Sequence, residues 1–117
     1  MEIRQRTVDD VTIIDMKGKL TLGDGDELLR EQVNSLIQQG QKKIVLNLAD
    51  VPYVDSAGLG EIVRAHTVVL RNGGGLNVLR PTKRVQDLLR VTKIQRILEA
   101  FESEADAVRR CSTSPGS

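Results

Sequence analysis

The sequence predicts a small α/β fold, in which a mixed sheet of four or five strands carries an N-terminal β-hairpin and about four packed helices. Two features of the sequence predict it. Short apolar or alternating segments of strand length are followed along the chain by longer segments whose apolar residues recur at helical spacing, and this order repeats. Strand-helix-strand units of this kind pair their strands in parallel through right-handed crossovers. The 117 residues suit one domain with one substantial core.

The N-terminal segment predicts the hairpin. Residues 3–7 form a short first strand, a turn follows at Val8-Asp9-Asp10, and residues 11–16 form a second strand. Gly18 ends this strand, and residues 19–25 form a loop that contains two glycines. The hairpin therefore adds an antiparallel edge to the sheet.

A helix and a buried strand come next. From Asp26 the apolar residues fall at i, i+4, i+7 and i+8, which is one face of a helix. Gly40 stands where a C-terminal capping residue belongs. Residues 42–48 are so rich in apolar side chains that we expect a strand covered on both faces.

The following segment predicts a second helix, a fourth strand and a third helix. Residues 58–71 have the strongest helical pattern, which ends at Asn72-Gly73-Gly74-Gly75. Residues 76–79 form the strand. Pro81 suits the first turn of the next helix, which ends near Val91.

The C-terminal segment predicts one more strand and one more helix. An apolar cluster at residues 94–98 leads into a short strand that ends at Phe101, and residues 103–110 form the last helix. We expect residues 111–117 to form a flexible polar tail. Cys111, at its start, has no evident role.

Composition excludes several classes of function. Aromatic residues make up only 2% and the net charge is +1, which argues against direct nucleic-acid binding. No run approaches the ~20 apolar residues of a membrane span, so we expect no membrane insertion. The single cysteine forms no internal disulfide, and the N-terminus has no apolar signal core. These features favour a cytoplasmic protein.

One junction stands out as a candidate site. The apolar residues 44–48 lead into Asp55-Ser56-Ala57-Gly58-Leu59-Gly60, and an amphipathic run leads out. The pattern predicts strand, loop and helix, with Ser56 at the helix N-cap. Free N–H groups and the positive end of the helix dipole would face any phosphate on that hydroxyl.

At this hexapeptide the chain resembles STAS domains of the bacterial anti-sigma factor antagonist type. Gly18-Lys19-Leu20 is similar to the family's Gly-x-Leu loop, and Asn72-Gly73-Gly74-Gly75-Leu76 to its Gly-Gly turn. Pro81-Thr82-Lys83-Arg84-Val85 is similar to the start of its next helix. The resemblance implies a STAS domain over residues 1–110.

The resemblance implies partner switching. The unphosphorylated antagonist binds an anti-sigma factor serine kinase and so releases a sigma factor. The kinase then phosphorylates the serine that follows the aspartate, which is Ser56 here, and a partner-switching serine phosphatase resets it. Such a protein needs no cofactor.

Loops at one end of the sheet should form the partner-binding surface, with Glu61 and Arg64 at its rim. The expected members are Thr21, Leu22, Gly23, Asp24, Asp55, Ser56, Ala57, Gly58, Leu59 and Gly60. Gly58 and Gly60 would let a partner backbone approach closely, while Leu59 points into the core. The family often has an acidic residue where Thr21 stands, and Lys19 reverses a charge, so the loop should affect which kinase binds.

Other interpretations remain open at this stage. Ser56 could be an N-cap alone, and Asp55 could simply cap or orient the loop. A constitutive STAS subunit of a lipid-transport complex, a signalling scaffold or a secretion regulator fits the same motif. A small hydrolase or transferase fits less well, because His66 lies ten residues from Ser56 on one helix and suits a hydrogen-bonded core position. No cluster has metal-ligand spacing.

Overall fold

The structure is a computed structural model that describes residues 1–112. Its sheet has five strands in the order β1-β2-β3-β4-β5. They are β1 (Glu2–Val8), β2 (Val11–Lys17), β3 (Lys43–Asp50), β4 (Gly75–Leu79) and β5 (Ala100–Phe101). The first pair is antiparallel and the other three pairs are parallel. The predicted hairpin and mixed sheet are therefore confirmed.

Four helices cover the two faces of the sheet. They are α1 (Asp26–Gln38), α2 (Ser56–Arg71), α3 (Lys83–Val91) and α4 (Glu104–Ser112). A 3₁₀ turn at Ile94–Arg96 connects α3 to β5. The predicted α/β fold class, with about four packed helices, is confirmed among the described residues.

Alternation along the strands divides the core in two. Ile14, Leu46 and Val78 pack in the larger cluster, which α1, α2 and α3 cover. Their neighbours in the strands face α4 instead, as Ile13 and Val45 do. Since successive strand residues point to opposite faces, β3 and β4 are buried on both sides.

The start of α3 differs from the sequence prediction, which placed Pro81 in the first turn of this helix. Thr82 is the N-cap of α3, and its hydroxyl accepts a hydrogen bond from Val85 N at 3.3 Å. Pro81 therefore precedes the helix and does not occupy its first turn. A threonine hydroxyl can accept that bond, whereas proline has no side-chain acceptor.

The C-terminal end also differs. Helix α4 runs to Ser112, so Cys111 and Ser112 belong to a helix and not to the predicted flexible tail. Cys111 is 2% exposed, and its Sγ lies 3.3 Å from the carbonyl oxygen of Gly75. Burial raises the pKa of this thiol to about 11. The remaining tail prediction concerns residues 113–117, which lie outside the described residues.

Within residues 1–112, no helix is long and apolar enough to cross a membrane.

Candidate functional site

Helix α2 begins at the predicted junction, but Asp55 is its N-cap and Ser56 its first residue. Asp55 has an extended backbone, and its Oδ1 accepts a hydrogen bond from Gly58 N at 2.8 Å. The prediction that Ser56 is the cap is therefore wrong. Asp55 and Ser56 are both good caps, but only the carboxylate has a second oxygen that can serve another loop. The Ser56 side chain is left exposed.

The second oxygen of Asp55 joins the two predicted loops. Its Oδ2 accepts a hydrogen bond from Leu22 N at 3.0 Å. The bonds from Gly58 N and then Leu22 N hold the pKa of Asp55 below its usual range. Backbone bonds reinforce the junction, from Leu20 N to Tyr53 O at 3.0 Å and from Asp55 N to Leu20 O at 3.2 Å. The loop after β2 and the start of α2 therefore form one surface.

Gly58 has a different role from the predicted one. It is buried, and a Cβ at this position would stand 2.1 Å from the Leu20 carbonyl oxygen. The close approach is thus made by the chain's own loop and not by a partner. Gly60 is exposed with open space around it, so a partner can still approach there. Leu59 is 9% exposed and packs in the core, as predicted.

The residues from Thr21 to Asp24 form a tight turn at the edge of this surface. Thr21 N donates to Asp24 O at 2.8 Å, and Asp24 N donates to Thr21 O at 2.9 Å. Gly23 has a φ of +77°, which favours glycine. Leu22 projects from the turn with 76% of its surface exposed. An apolar side chain this exposed, tied through its N–H to the cap of α2, is available for a protein contact.

Glu61 does not lie at an accessible rim as the sequence suggested. It is 6% exposed, and its carboxylate binds Arg30 of α1 and Arg64 of α2. The Arg30 hydrogen bond, followed by the Arg64 bond, holds the pKa of Glu61 below its usual range. Arg64 is half-buried and also reaches Asn34 Oδ1 at 3.3 Å. A buried carboxylate needs such partners, and because Arg30 lies on α1 while Glu61 lies on α2, their ion pair holds the two helices together.

Arg30 was missed by the sequence analysis. It lies 31 residues before Glu61, and only the packing of α1 against α2 brings the two together. Its position on the polar side of α1 gave no local signal. A Glu-Arg spacing of three residues at Glu61 and Arg64 was visible, but it indicates no burial.

His66 is a buried histidine of α2, 9% exposed, and burial lowers its pKa. Within residues 1–112 its imidazole makes no hydrogen bond, so the predicted core position is confirmed and the predicted side-chain hydrogen bond is not. Over the same residues, no group of His, Cys, Asp and Glu could hold a metal ion.

A comparison with models of known protein families identifies the family of this chain. The family model described as the STAS domain matches residues 2–107. This chain belongs to the STAS domain family. The resemblance seen at Asp55-Ser56-Ala57-Gly58-Leu59-Gly60 is therefore confirmed at the level of the family.

Relatives of this STAS domain are named for one role. The anti-sigma F factor antagonist of Paenibacillus polymyxa is 29% identical over 99 residues, which cover 84% of each chain. The anti-sigma-B factor antagonist of Staphylococcus epidermidis is 28% identical over 102 residues, or 87% of this chain and 94% of that protein. Both relatives are thus named as antagonists of an anti-sigma factor.

Solved structures agree on the fold. A candidate anti-sigma factor antagonist from Thermotoga maritima has a TM-score of 0.87 at 25% identity, covering 94% of both chains. The phosphorylated form of the Bacillus cell fate determinant SpoIIAA has a TM-score of 0.73 at 19% identity. It covers 93% of this chain and 98% of that one, and at this identity the likeness concerns the fold alone.

Proposed function

We propose that this STAS domain is an anti-sigma factor antagonist of the cytoplasm. In its unphosphorylated form it binds an anti-sigma factor serine kinase and so releases a sigma factor. Phosphorylation at Ser56 ends the binding, and a partner-switching serine phosphatase restores it. The names of its relatives support the general role. The observation that carries the site is the exposed Ser56 at the first residue of α2, next to the turn with the exposed Leu22 that is hydrogen-bonded to the α2 cap.

The start of α2 suits a phosphate. The kinase would move the γ-phosphoryl group of ATP onto Ser56 Oγ, while the hydroxyl proton leaves and ADP departs. The product carries roughly −1.5 to −2 charges at pH 7. The positive end of the α2 dipole stabilises that charge locally, so the domain keeps its fold. Asp55 opposes it slightly, because its lowered pKa keeps the carboxylate charged.

Release then follows from the interface. An unphosphorylated surface offers the small side chain of Ser56, the open space over Gly60 and the apolar Leu22. A phosphate in the middle of that surface must lose its water when the partner closes over it. This costs several kcal/mol unless a cation of the partner pairs with it. The switch therefore acts by adding an uncompensated charge to a contact, with no refolding.

The test compares four proteins against each anti-sigma factor serine kinase of the source organism. They are the wild type, Ser56→Ala, Ser56→Asp and the control Ser35→Ala, whose serine is exposed on α1. With ATP, intact-mass spectrometry should show one phosphate on the wild type and on Ser35→Ala, and none on Ser56→Ala. In pull-downs, Ser56→Ala should bind the kinase and Ser56→Asp should bind at least about 10-fold more weakly.

A different result would favour the constitutive STAS subunit. In that case Ser56 stays unmodified with every kinase, and Ser56→Ala and Ser56→Asp bind a partner equally well. Substrate turnover by the purified protein without any kinase would instead support the hydrolase or transferase alternative. The proposal requires that neither pattern be observed.

A further inference from the structure

A cavity of about 320 Å³ lies beside β4, at the far end of α2 from Ser56. His66 and Leu70 line it, and they follow Ser56 by roughly 15 and 21 Å along the helix axis. Its volume falls at the lower end of the ~300–1,000 Å³ range of small-molecule sites. The cavity is therefore separate from the surface formed by the start of α2 and the turn at residues 21–24.

The floor of the cavity is an unpaired stretch of sheet edge. Strand β5 pairs with β4 only at Val78 and Leu79, so the edge of Leu76 has no neighbouring strand within residues 1–112. Gly75 N donates to Lys42 O on the β3 side, whereas Val78 N donates to Glu99 O on the β5 side. Since successive peptide groups alternate in direction, the N–H and C=O of Leu76 point to the β5 side, where the cavity lies.

A second observation at the same place also indicates a missing partner. Asn77 lines the cavity and is 4% exposed, and its Oδ1 has no hydrogen-bond partner among the described residues. The amide orientation is set, because Nδ2 donates to the Ala107 carbonyl at 3.1 Å. A buried carbonyl oxygen without a donor costs about 1–3 kcal/mol. Buried polar groups are usually paired with protein or with an ordered water, so a partner inside the cavity is expected for this oxygen.

The other side chains that line the cavity indicate that the bound molecule is uncharged. Leu70 and Ile97 are apolar, and burial lowers the pKa of His66, which favours its neutral form. At the mouth, Glu99 and Arg110 form an ion pair with 2.8 Å between Oε1 and Nε, so their charges already offset each other. Among the residues that line the cavity no charge is left unbalanced to hold an ion, and the polar floor offers one donor, the Leu76 N–H, and two acceptors, the Leu76 carbonyl and Asn77 Oδ1.

We propose that this cavity binds a small, uncharged, planar molecule whose edge carries an N–H donor next to a C=O acceptor, as in a cyclic amide. The ligand donates to the Leu76 carbonyl and accepts from the Leu76 N–H, in the place of a missing strand residue, and a water bound beside it donates to Asn77 Oδ1. Leu70 and Ile97 cover its two faces. The site is separate from partner switching, since it lies at the other end of α2.

The test uses 2-pyridone as the probe, because it is planar and has the required N–H and C=O side by side. N-methyl-2-pyridone is the matched control, since it keeps the ring and the carbonyl but lacks the donor. Both are titrated to millimolar concentration into the ¹⁵N-labelled full chain and followed by amide chemical shifts. We expect 2-pyridone to shift Leu76, Asn77 and His66, and the methylated probe to bind about 10-fold more weakly.

A pair of variants distinguishes binding of the probe in the cavity from nonspecific binding to the protein surface. Leu70→Trp narrows the cavity and should weaken 2-pyridone binding about 10-fold, whereas Leu28→Trp places the same ring on α1 and should leave it unchanged. The amide spectrum of each variant shows whether it folds. Equal affinity for the two probes would overturn the proposal. So would an absence of shifts at Leu76, or shifts of the same size at the exposed Leu22 and Val91.

Discussion

Gly58 lies directly against the carbonyl oxygen of Leu20, so close that a Cβ on Gly58 would stand 2.1 Å from that oxygen. This contact sets the distance between the start of α2 and the loop after β2. The same loop donates the Leu22 N–H to Asp55, the cap of α2. One small residue thus allows the whole Ser56 surface to assemble.

The first prediction concerns Gly58 and its neighbour Gly60. Gly58→Ala should lower the free energy of unfolding by about 2–3 kcal/mol, because backbone must move to admit the methyl group. Gly60→Ala should raise it by about 0.5–1 kcal/mol, since the site is open and alanine favours a helix. Urea unfolding of the two variants and the wild type measures both. Equal effects at the two glycines would contradict the contact with Leu20.

The second prediction concerns the charge at the start of α2. Ser56→Asp should keep the fold and stabilise it by about 0.3–1 kcal/mol, because a negative charge favours the N-terminus of a helix. Ser56→Lys should destabilise it by a similar amount. Thermal unfolding followed by circular dichroism compares the two at low salt. If Ser56→Asp unfolds the domain, phosphorylation cannot act through the interface alone.

The third prediction concerns the buried Glu61 carboxylate. Glu61→Gln should lower the free energy of unfolding by about 2 kcal/mol at pH 7, because Arg30 and Arg64 lose their charged partner. Asp87→Asn is the control, since its pair with Arg90 is exposed and should contribute less than about 1 kcal/mol.

The Glu61 contribution should also depend on pH. The folded pKa of Glu61 lies below the ordinary value of 4.5, so its stabilisation is fully present above that pH. It should be lost as the pH falls further, through the folded pKa. Urea unfolding of the wild type and Glu61→Gln between pH 7 and the acid range measures this difference. A difference that stays constant down to the acid range would show that the carboxylate charge is not responsible.

The fourth prediction concerns the reactivity of Cys111. Its pKa of about 11 leaves very little thiolate near neutral pH, and the sulfur is buried under α4. A disulfide reagent at about pH 8 should modify it at least about 100-fold more slowly than an unfolded sample of the same protein. Absorbance of the released thiol gives the rate. Equal rates would mean that the end of α4 opens readily.

Much of the fold was accessible from local patterns. Two strand-length segments, residues 3–7 and 11–16, with a turn between them predicted the hairpin. The spacing of apolar residues after Asp26 predicted α1, because that spacing reports directly which face of the helix is apolar. The ends of elements were less accessible. Asp55 and Ser56 both suit an N-cap, and only the position of Leu22 N explains why the carboxylate serves as the cap.

Residues that act across the fold were the hardest to predict. The sequence placed Glu61 at a rim, because it follows directly on the loop at residues 55–60, and Cys111 in a tail, because the residues after it are polar. Arg30 reaches Glu61 from another helix, and the carbonyl of Gly75 meets the Cys111 sulfur from another strand. Neither contact leaves a pattern near the residue itself.

By itself, the sequence determined the fold class, the order of the elements, and the Asp55-Ser56 junction with its family resemblance, since periodicity and short motifs are local properties of the chain. The tertiary structure alone decided which residue caps α2, why Gly58 must be glycine, that Glu61 is buried between two arginines, and that the edge of β4 is left open beside a cavity. The physical reason is distance along the chain: each of these facts depends on groups that only packing brings within a few ångströms of one another.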